Sequence, residues 1–172
     1  MLILIIGTAR SGKSEYAEQR VMELSSRRVY LAVSEIYDEE MARRVELHRE
    51  RRKGKGFATI ERPRDLGGAE LPEDSCVLIE SLGVWLSNEM FRPDGEVNLS
   101  AGEKVYRDLV KIVERVRDVV VVSDDVFSDG MEYDALTEEW VRTLGGLHVR
   151  IAEIADEVME VVAGLPVRYK PS

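Results

Sequence analysis

The sequence has 172 residues, of which 44% are hydrophobic and 33% charged, with a formal net charge of −9. This balance excludes a disordered chain and suits one domain of ordinary size, so we expect a single nucleotide-binding domain over residues 1–172. The acidic charge argues against binding along a nucleic-acid backbone, and no apolar stretch approaches the roughly 20 residues that span a bilayer.

Cysteine usage points to the compartment. Cys76 is the one cysteine of the chain, so no intrachain disulfide can form. It lies in the apolar run Cys76–Ile79, where a buried reduced thiol is favoured over a nucleophile. The first apolar run lacks a basic segment before it, so we do not interpret it as a signal peptide. These features predict a cytoplasmic protein.

Short apolar runs alternate with amphipathic segments along the chain. The runs that predict buried strands are Leu2–Ile6, Val29–Val33, Cys76–Ile79 and Val119–Val122, and Val158–Val162 and Val167–Tyr169 are candidates to close the sheet. The predicted helices are Ser14–Leu24, Asp38–Lys53, Ala101–Arg117 and roughly Asp134–Glu157. This alternation predicts an α/β fold with a mainly parallel sheet flanked by helices.

A phosphate-binding loop follows the first predicted strand. Its residues match the P-loop pattern G-x-x-x-x-G-K-[ST] at every fixed position: Gly7, Thr8, Ala9, Arg10, Ser11, Gly12, Lys13 and Ser14. The glycines let backbone N–H groups turn inward around an anion, and the helix that follows aims its positive end at the same place. Lys13 is expected to reach the β- and γ-phosphates, and the Ser14 hydroxyl to coordinate Mg²⁺. The loop therefore predicts binding of GTP or ATP.

P-loop sites usually hold Mg²⁺ with an acidic residue at the end of a neighbouring strand. Glu80 directly follows Cys76–Ile79 and is the better candidate, and Asp124 and Asp125 follow Val119–Ser123. Parallel sheets bind ligands at the carboxyl ends of their strands, where these carboxylates are expected. A strand-end carboxylate that simply reaches solvent is the alternative for each.

The second predicted helix is basic in its C-terminal half. Six Lys or Arg and two Glu between Arg43 and Lys53 give a local net charge of +4 in an acidic protein. Arg44, His48 and Arg52 are spaced i, i+4, i+8 and share one stripe of the helix. The arginines would disfavour the cationic imidazole and could hold phosphate oxygens beside it. A solvated helix with a basic end explains the same pattern, and His148 is expected to be structural or exposed.

The sequence resembles the bifunctional adenosylcobinamide kinase / adenosylcobinamide-phosphate guanylyltransferase family. The segments that carry the resemblance are Leu4–Ser14, Asp38–Val45 continuing to His48 and Arg51–Arg52, Thr59–Pro63, Ile79–Leu82 and Trp85–Asn88. The family's P-loop characteristically reads Ala-Arg-Ser-Gly-Lys-Ser, as residues 9–14 do here. A generic P-loop protein would not supply the histidine helix at this distance, so the combination is specific.

The resemblance implies a RecA-like sheet, a homotrimer and two reactions late in cobalamin assembly. By position, Lys13 and Ser14 would serve nucleotide phosphates and magnesium, and His48 would accept GMP from GTP as a phosphoramidate. Arg44, Arg51, Arg52 and Glu80 would complete the nucleotide site. Adenosylcobinamide and its phosphate would be the other substrates.

Three positions depart from the family pattern. Thr8 replaces the second residue of Gly-Gly-Ala, and Asp124–Phe127 replaces Asn-Glu-Val-Gly. The late Gly…Asn-Gln helix is matched only by Gly145, with His148 after it. These departures would affect substrate contacts of the C-terminal half and one of the two activities. A P-loop kinase without a covalent step and a nucleotide-dependent switch or assembly factor remain alternatives.

Overall fold

The computed structural model describes residues 1–35, 39–127 and 133–170. The side chains of Glu40, Met41, Arg44, His48 and Arg51 lie outside the described set, although their backbone lies within it. The strands are β1 Leu2–Gly7, β2 Arg28–Ala32, β3 Phe57–Glu61, β4 Cys76–Glu80, β5 Asp118–Asp124, β6 Glu157–Val162 and β7 Leu165–Lys170. The helices are α1 Lys13–Leu24, α2 Glu39–Arg52, α3 Leu82–Met90, α4 Ala101–Arg115 and α5 Ala135–Ile154, with a short 3-10 turn at Leu66–Gly68.

The described strands form one seven-stranded sheet in the order β3-β2-β4-β5-β1-β6-β7. All paired strands are parallel except the terminal pair β6 and β7, which is antiparallel. The P-loop strand β1 and strand β4, which carries Glu80, both pair with β5 and are separated by it. This is the predicted α/β P-loop fold, with a mainly parallel sheet flanked by helices.

The continuous apolar strands arise because both faces of the sheet are covered. Along β5, Val119 and Val121 pack with the side chains of α3, α4 and α5. Val120 and Val122 point to the opposite face and pack with Ala17 of α1. Burying both faces removes the polar alternation of a one-sided sheet, and each fully buried valine or leucine contributes about 1.5–3 kcal/mol.

Several element bounds differ from the sequence prediction. Helix α4 ends at Arg115, two residues early, since β5 already begins at Asp118. Helix α5 begins after Asp134, whose carboxylate accepts hydrogen bonds from the Leu136 and Thr137 N–H groups at 2.9 Å. Its predicted end at Glu157 is wrong, because Glu157 starts β6 and pairs with Ile3 in the ladder. The predicted start of α2, Asp38, lies outside the described residues.

A charged cluster ties α4 to α3 and to the segment before the 3-10 turn. The Lys104 ammonium lies 2.7 Å from Asp65 and 2.9 Å from both Glu89 and Asp108. Burial opposes its charge, but hydrogen bonds to the three carboxylates outweigh burial and raise the pKa of Lys104. The three carboxylates are close enough together to hold a cation. The lysine already supplies that charge, so the cluster is structural.

Among the described helices, none has the length and hydropathy that crossing a membrane would require.

Candidate nucleotide-binding site

The P-loop connects β1 to α1 through a tightly curled backbone. Gly12 has a φ of 92°, in the left-handed region that glycine adopts without strain. A Cβ at Gly7 would lie 2.5 Å from the Ser11 Oγ and 2.9 Å from the Val161 carbonyl oxygen. Both glycines are therefore required by the backbone path and not only by the motif.

The hairpin between β6 and β7 supports the loop from behind. The Gly164 N–H donates a hydrogen bond of 2.7 Å to the Ser11 carbonyl, and a Cβ at Gly12 would lie 3.2 Å from the Gly164 Cα. Ala163 and Gly164 both have positive φ, as two-residue hairpin turns require. The sequence pattern does not predict this contact. Ala163 and Gly164 lie between two predicted strands and indicate a turn there. Nothing in the local sequence indicates that this turn packs on the P-loop.

Lys13 is buried and its ammonium lies inside the loop. Its Nζ donates to the Thr8 carbonyl at 3.2 Å and lies 2.8 Å from the Asp124 Oδ1. A lysine held in this way is a fixed positive charge beside the backbone N–H groups of the loop. The geometry suits a polyphosphate whose oxygens compete with Asp124 for the ammonium.

Ser14 and Glu80 lie together, as expected of a shared metal site. The Ser14 hydroxyl donates a hydrogen bond to the Glu80 Oε1. The Glu80 Oε2 is buried and has no hydrogen-bond partner among the described residues. A hydroxyl and a carboxylate with an unused oxygen fit Mg²⁺, which prefers hard oxygen ligands. Glu80 is thus better placed for this role than Asp124, the last residue of β5, or Asp125, which follows it.

Asp124 and Asp125 have different surroundings. Asp124 ends β5 and lies opposite Gly7 in the ladder, where it pairs with Lys13. Asp125 donates its backbone N–H to the Gly7 carbonyl at 3.0 Å and accepts from the Phe127 N–H at 3.1 Å. Asp125 therefore stabilises the turn, whereas Asp124 faces the phosphate loop.

Helix α2 packs on the α1 face of the sheet through its last turn. The Arg52 guanidinium lies 3.5 Å above the centre of the Tyr30 ring, and the residue is only 6% exposed. Its Nε and Nη1 are buried without a partner among the described residues. Burial and the charge of Glu80 both raise the pKa of Tyr30, so the phenol stays protonated. Arg52 is therefore held over the Tyr30 ring, with donors that have no partner among the described residues.

The position of His48 follows from the topology of α2. This helix connects the parallel strands β2 and β3, so it runs from the carboxyl edge of the sheet back towards the amino edge. The backbone of His48 lies one turn, about 6 Å, nearer the carboxyl edge than that of Arg52. The carboxyl edge is where the P-loop and Glu80 lie. The predicted continuous helix through Arg44, His48 and Arg52 is confirmed, while the side chains of Arg44, His48 and Arg51 are outside the described set.

His148 lies on the opposite face of the sheet from the P-loop lysine. It is 9% exposed, its Nε2 lies 2.6 Å from the Ser123 Oγ, and its ring meets the edge of Phe127 at 5.4 Å. Burial lowers the pKa of His148 to about 4, although Asp125 and Asp124 act in the opposite direction. Of the two expectations for His148, structural or exposed, the structure supports the first, because the imidazole is buried and neutral.

Acid is expected to destabilise the fold through His148. Because the pKa is about 4 in the folded protein and about 6.5 unfolded, the unfolded chain binds the extra proton between these values. Stability is therefore lost as pH falls from about 7, by about 2 kcal/mol at pH 5, and the loss is complete below pH 4. Urea unfolding of the wild type and of His148→Gln at pH 7 and at pH 5 measures this loss of stability. Equal pH slopes in the two proteins would contradict it.

A family model matches nearly the whole chain. The family model described as cobinamide kinase / cobinamide phosphate guanyltransferase matches residues 3–169. This range includes the P-loop, helix α2, Glu80 and Asp124.

Curated relatives match over nearly the whole chain. A bifunctional adenosylcobalamin biosynthesis protein CobP from Pseudomonas aeruginosa is 32% identical over 170 residues, covering 97% of this chain and 96% of that protein. Bifunctional adenosylcobalamin biosynthesis proteins CobU from Salmonella typhimurium and Escherichia coli are 31% and 32% identical over 183 residues. Each covers 99% of this chain and 100% of the relative.

A solved Pyrococcus horikoshii structure supports the fold alone. It superposes with a TM-score of 0.56 at 8% identity and covers 99% of this chain and 86% of that one. The full-length family match and the identity to the curated relatives carry the assignment. The chain belongs to the cobinamide kinase / cobinamide phosphate guanyltransferase family.

Proposed function

We propose that this chain phosphorylates adenosylcobinamide with a nucleoside triphosphate and then transfers GMP from GTP to adenosylcobinamide phosphate. The transfer proceeds through a covalent GMP on His48. The observation that carries the proposal is the match of residues 3–169 to the family, in a chain whose P-loop residue Ser14 donates a hydrogen bond to Glu80 at the carboxyl edge of the sheet.

Phosphoryl transfer depends mainly on positioning and charge neutralisation. The P-loop N–H groups and Lys13 hold the β- and γ-phosphates. Ser14 and Glu80 would hold Mg²⁺, which would neutralise charge on the phosphate oxygens. The hydroxyl of the aminopropanol arm of adenosylcobinamide then attacks the γ-phosphorus, and the nucleoside diphosphate leaves. Phosphoryl transfer in this arrangement needs no covalent intermediate on the protein.

Guanylyl transfer requires a nucleophile, which we assign to His48. A neutral imidazole nitrogen attacks the α-phosphorus of GTP, and pyrophosphate leaves. A phosphate oxygen of adenosylcobinamide phosphate then attacks the same phosphorus, and the N–P bond breaks. Arg44, Arg51 and Arg52 would hold the phosphate oxygens. The Nε and Nη1 of Arg52, which are buried and find no partner within the described part of the chain, support this assignment.

Labelled GTP tests both steps. Wild-type protein incubated with GTP and Mg²⁺ should gain the mass of one GMP and retain label from the α-phosphate but not from the γ-phosphate. The bond should survive alkali and break in acid, as phosphoramidates do. Phosphorylation of adenosylcobinamide is followed separately with γ-labelled nucleotide. Retained γ-label would indicate a phosphoenzyme instead, and the absence of both reactions would refute the proposed function.

A Glu80→Gln variant should lose Mg²⁺-dependent turnover by about 100-fold, because it removes a ligand charge and keeps the side-chain shape. Its free energy of unfolding should change little. Magnesium titrations of kinase activity measure the first effect and urea unfolding the second. Glu23→Gln is the matched control, since Glu23 lies in α1 and forms an exposed ion pair with Arg20. An unchanged magnesium dependence in Glu80→Gln would show that Glu80 ends its strand without a role in metal binding.

The assembly and compartment are also proposals. The family resemblance supports a cytoplasmic homotrimer. Burial raises the pKa of the Cys76 thiol to about 12, so the cysteine is kept as an unreactive thiol, as suits a reducing compartment. Light scattering on the purified protein measures the oligomeric state, and a monomer would refute the trimer.

A further inference from the structure

Arg10 occupies a position of the phosphate loop where the backbone favours glycine. The Ser11 N–H donates a hydrogen bond of 3.2 Å to the Thr8 carbonyl oxygen, which closes a turn over residues 8–11. Arg10 is the third residue of this turn and has a φ of 61°, in the left-handed region. Turns with a positive φ at their third residue favour glycine or asparagine there, because a Cβ crowds the backbone. An arginine at this position therefore strains the backbone, whereas a glycine would not.

Anion binding by the loop backbone does not explain the arginine. A left-handed residue in such a loop turns successive N–H groups inwards around an anion, and glycine does this without strain. Residues in strained backbone conformations are concentrated at active sites, where the surrounding structure holds them in place. The reason for an arginine at position 10 must therefore lie in its side chain.

The Arg10 side chain is exposed and uncommitted. Within the described part of the chain, its guanidinium takes part in no hydrogen bond or ion pair. Two other cations of the proposed site are already held, because Lys13 lies 2.8 Å from the Asp124 Oδ1 and Arg52 lies over the Tyr30 ring. In a chain with a formal net charge of −9, an arginine without a carboxylate partner is available for an anionic ligand.

The turn places this guanidinium close to the terminal phosphate of a bound nucleotide. The Thr8 carbonyl oxygen that closes the turn also accepts a hydrogen bond from the Lys13 Nζ at 3.2 Å. In a P-loop, that ammonium contacts the β- and γ-phosphate oxygens. The backbone of Arg10 lies within the same turn, so its long, exposed side chain can reach the γ-phosphate from the solvent side of the loop.

We propose that Arg10 is a catalytic residue of the phosphoryl-transfer step and supplies positive charge to the γ-phosphoryl group. This inference rests on the proposed kinase activity and deepens it. The acceptor hydroxyl oxygen bonds to the γ-phosphorus while the bond to the β–γ bridging oxygen breaks, and the nucleoside diphosphate leaves with that electron pair. The hydroxyl proton passes to solvent. The guanidinium donates N–H groups to the γ-phosphoryl and bridging oxygens, where negative charge is stabilised in the transition state.

Arg10→Gly separates this role from a structural one, because glycine suits the left-handed backbone and keeps the anion-binding N–H groups. Its urea midpoint should stay close to that of the wild type, since relief of strain offsets the added freedom of the unfolded chain. The rate constant kcat for phosphorylation of adenosylcobinamide should fall about 1,000-fold, as expected on loss of an arginine that stabilises this transition state. Affinity for ATP and GTP, measured by calorimetry, should stay within about threefold, because the loop N–H groups and Lys13 remain.

The GMP adduct, measured by intact mass, provides an internal comparison. Its rate of formation in Arg10→Gly should fall by less than about tenfold, because the γ-phosphate is then part of the leaving pyrophosphate and not the reacting centre. The kinase step should therefore lose far more than the adduct-forming step.

Two further measurements distinguish a catalytic guanidinium from a residue that only shapes the loop. Free guanidinium ion, added to Arg10→Gly below the concentrations that unfold the protein, should restore part of the lost kcat. Arg10→Lys keeps the charge without the planar fork of donors and should recover kcat only in part. Arg142→Ala is the matched control, since Arg142 is an exposed arginine of α5 that pairs with Glu139 at 3.0 Å. Its kcat should equal that of the wild type.

The outcomes distinguish this inference from the proposed function. Undiminished kcat in Arg10→Gly would overturn the role of Arg10 while leaving the kinase activity in place. Loss of nucleotide affinity, kcat and the adduct by the same factor would also overturn it, in favour of a residue that only binds the nucleotide. A wild-type protein that binds nucleotide but phosphorylates no adenosylcobinamide would refute the proposed kinase activity itself, and the role of Arg10 with it.

Discussion

A Lys13→Ala variant is expected to lose productive triphosphate binding, with kcat/KM for both reactions reduced by about 1,000-fold. The loop's N–H groups alone leave the charge of the β- and γ-phosphates poorly balanced, and preorganised charges at such sites each contribute several kcal/mol. The structure makes the loss more severe. Without Lys13, the Asp124 carboxylate faces the incoming phosphate with no cation between them. Nucleotide titration and steady-state kinetics measure the effect.

The double variant Lys13→Ala/Asp124→Asn tests this electrostatic reasoning. It should bind nucleotide better than Lys13→Ala, because the uncompensated carboxylate is gone, although kinase turnover should stay low. Lys53→Ala is the control, since Lys53 is an exposed lysine directly after α2. Its nucleotide affinity should match wild type. Equal affinity of Lys13→Ala and wild type would remove the P-loop from the mechanism.

The phosphate half of the site could be predicted because its residues are close in sequence. The spacing of Gly7, Gly12, Lys13 and Ser14 determines a loop that β1 and α1 hold from both sides. Glu80 could be added because the carboxyl ends of parallel strands meet at one edge of a sheet. Both inferences need only local pattern and one general rule of α/β architecture.

The Lys13–Asp124 pair required knowledge of strand order. Local pattern places Asp124 at a strand end but does not say that β5 inserts between β1 and β4. That insertion sets Asp124 opposite Gly7 and within reach of the lysine. The same limitation applies to the contact between Arg52 of α2 and Tyr30 of β2. The spacing of Arg44, His48 and Arg52 along the helix does not indicate which strand the helix packs on. Such long-range contacts depend on the topology of the whole sheet.

Strand β3 shows a different limitation. It lies at the edge of the sheet, and all five of its side chains are at least partly exposed, so it carries no continuous apolar run. Periodicity therefore does not predict it, although the segment Thr59–Pro63, which carries part of the family resemblance, overlaps this strand. The end of α5 was misplaced for a related reason. The apolar pattern of the helix continues without a break into β6, and only pairing with β1 reveals the change.

The proposed covalent step, formation of the GMP adduct, depends on the single residue His48. His48→Ala should form no GMP adduct, so α-labelled GTP leaves no label on the folded protein, and guanylyl transfer should fall below detection. Phosphorylation of adenosylcobinamide should continue within about threefold of wild type, because phosphoryl transfer uses the P-loop and needs no histidine nucleophile. The backbone of His48 lies in α2, one turn nearer the carboxyl edge than the docked Arg52.

Two variants make this result specific to the imidazole. Leu47→Ala changes an exposed neighbour on the same helix and should keep both activities. His148→Gln removes the other histidine and should keep the adduct, since His148 is buried against Ser123, on the face of the sheet away from Lys13. Label persisting in His48→Ala would refute His48 as the nucleophile. Loss of both activities together in a folded His48→Ala protein would instead give the residue a shared positioning role, because a nucleophile used only at the α-phosphorus cannot affect transfer of the γ-phosphoryl group.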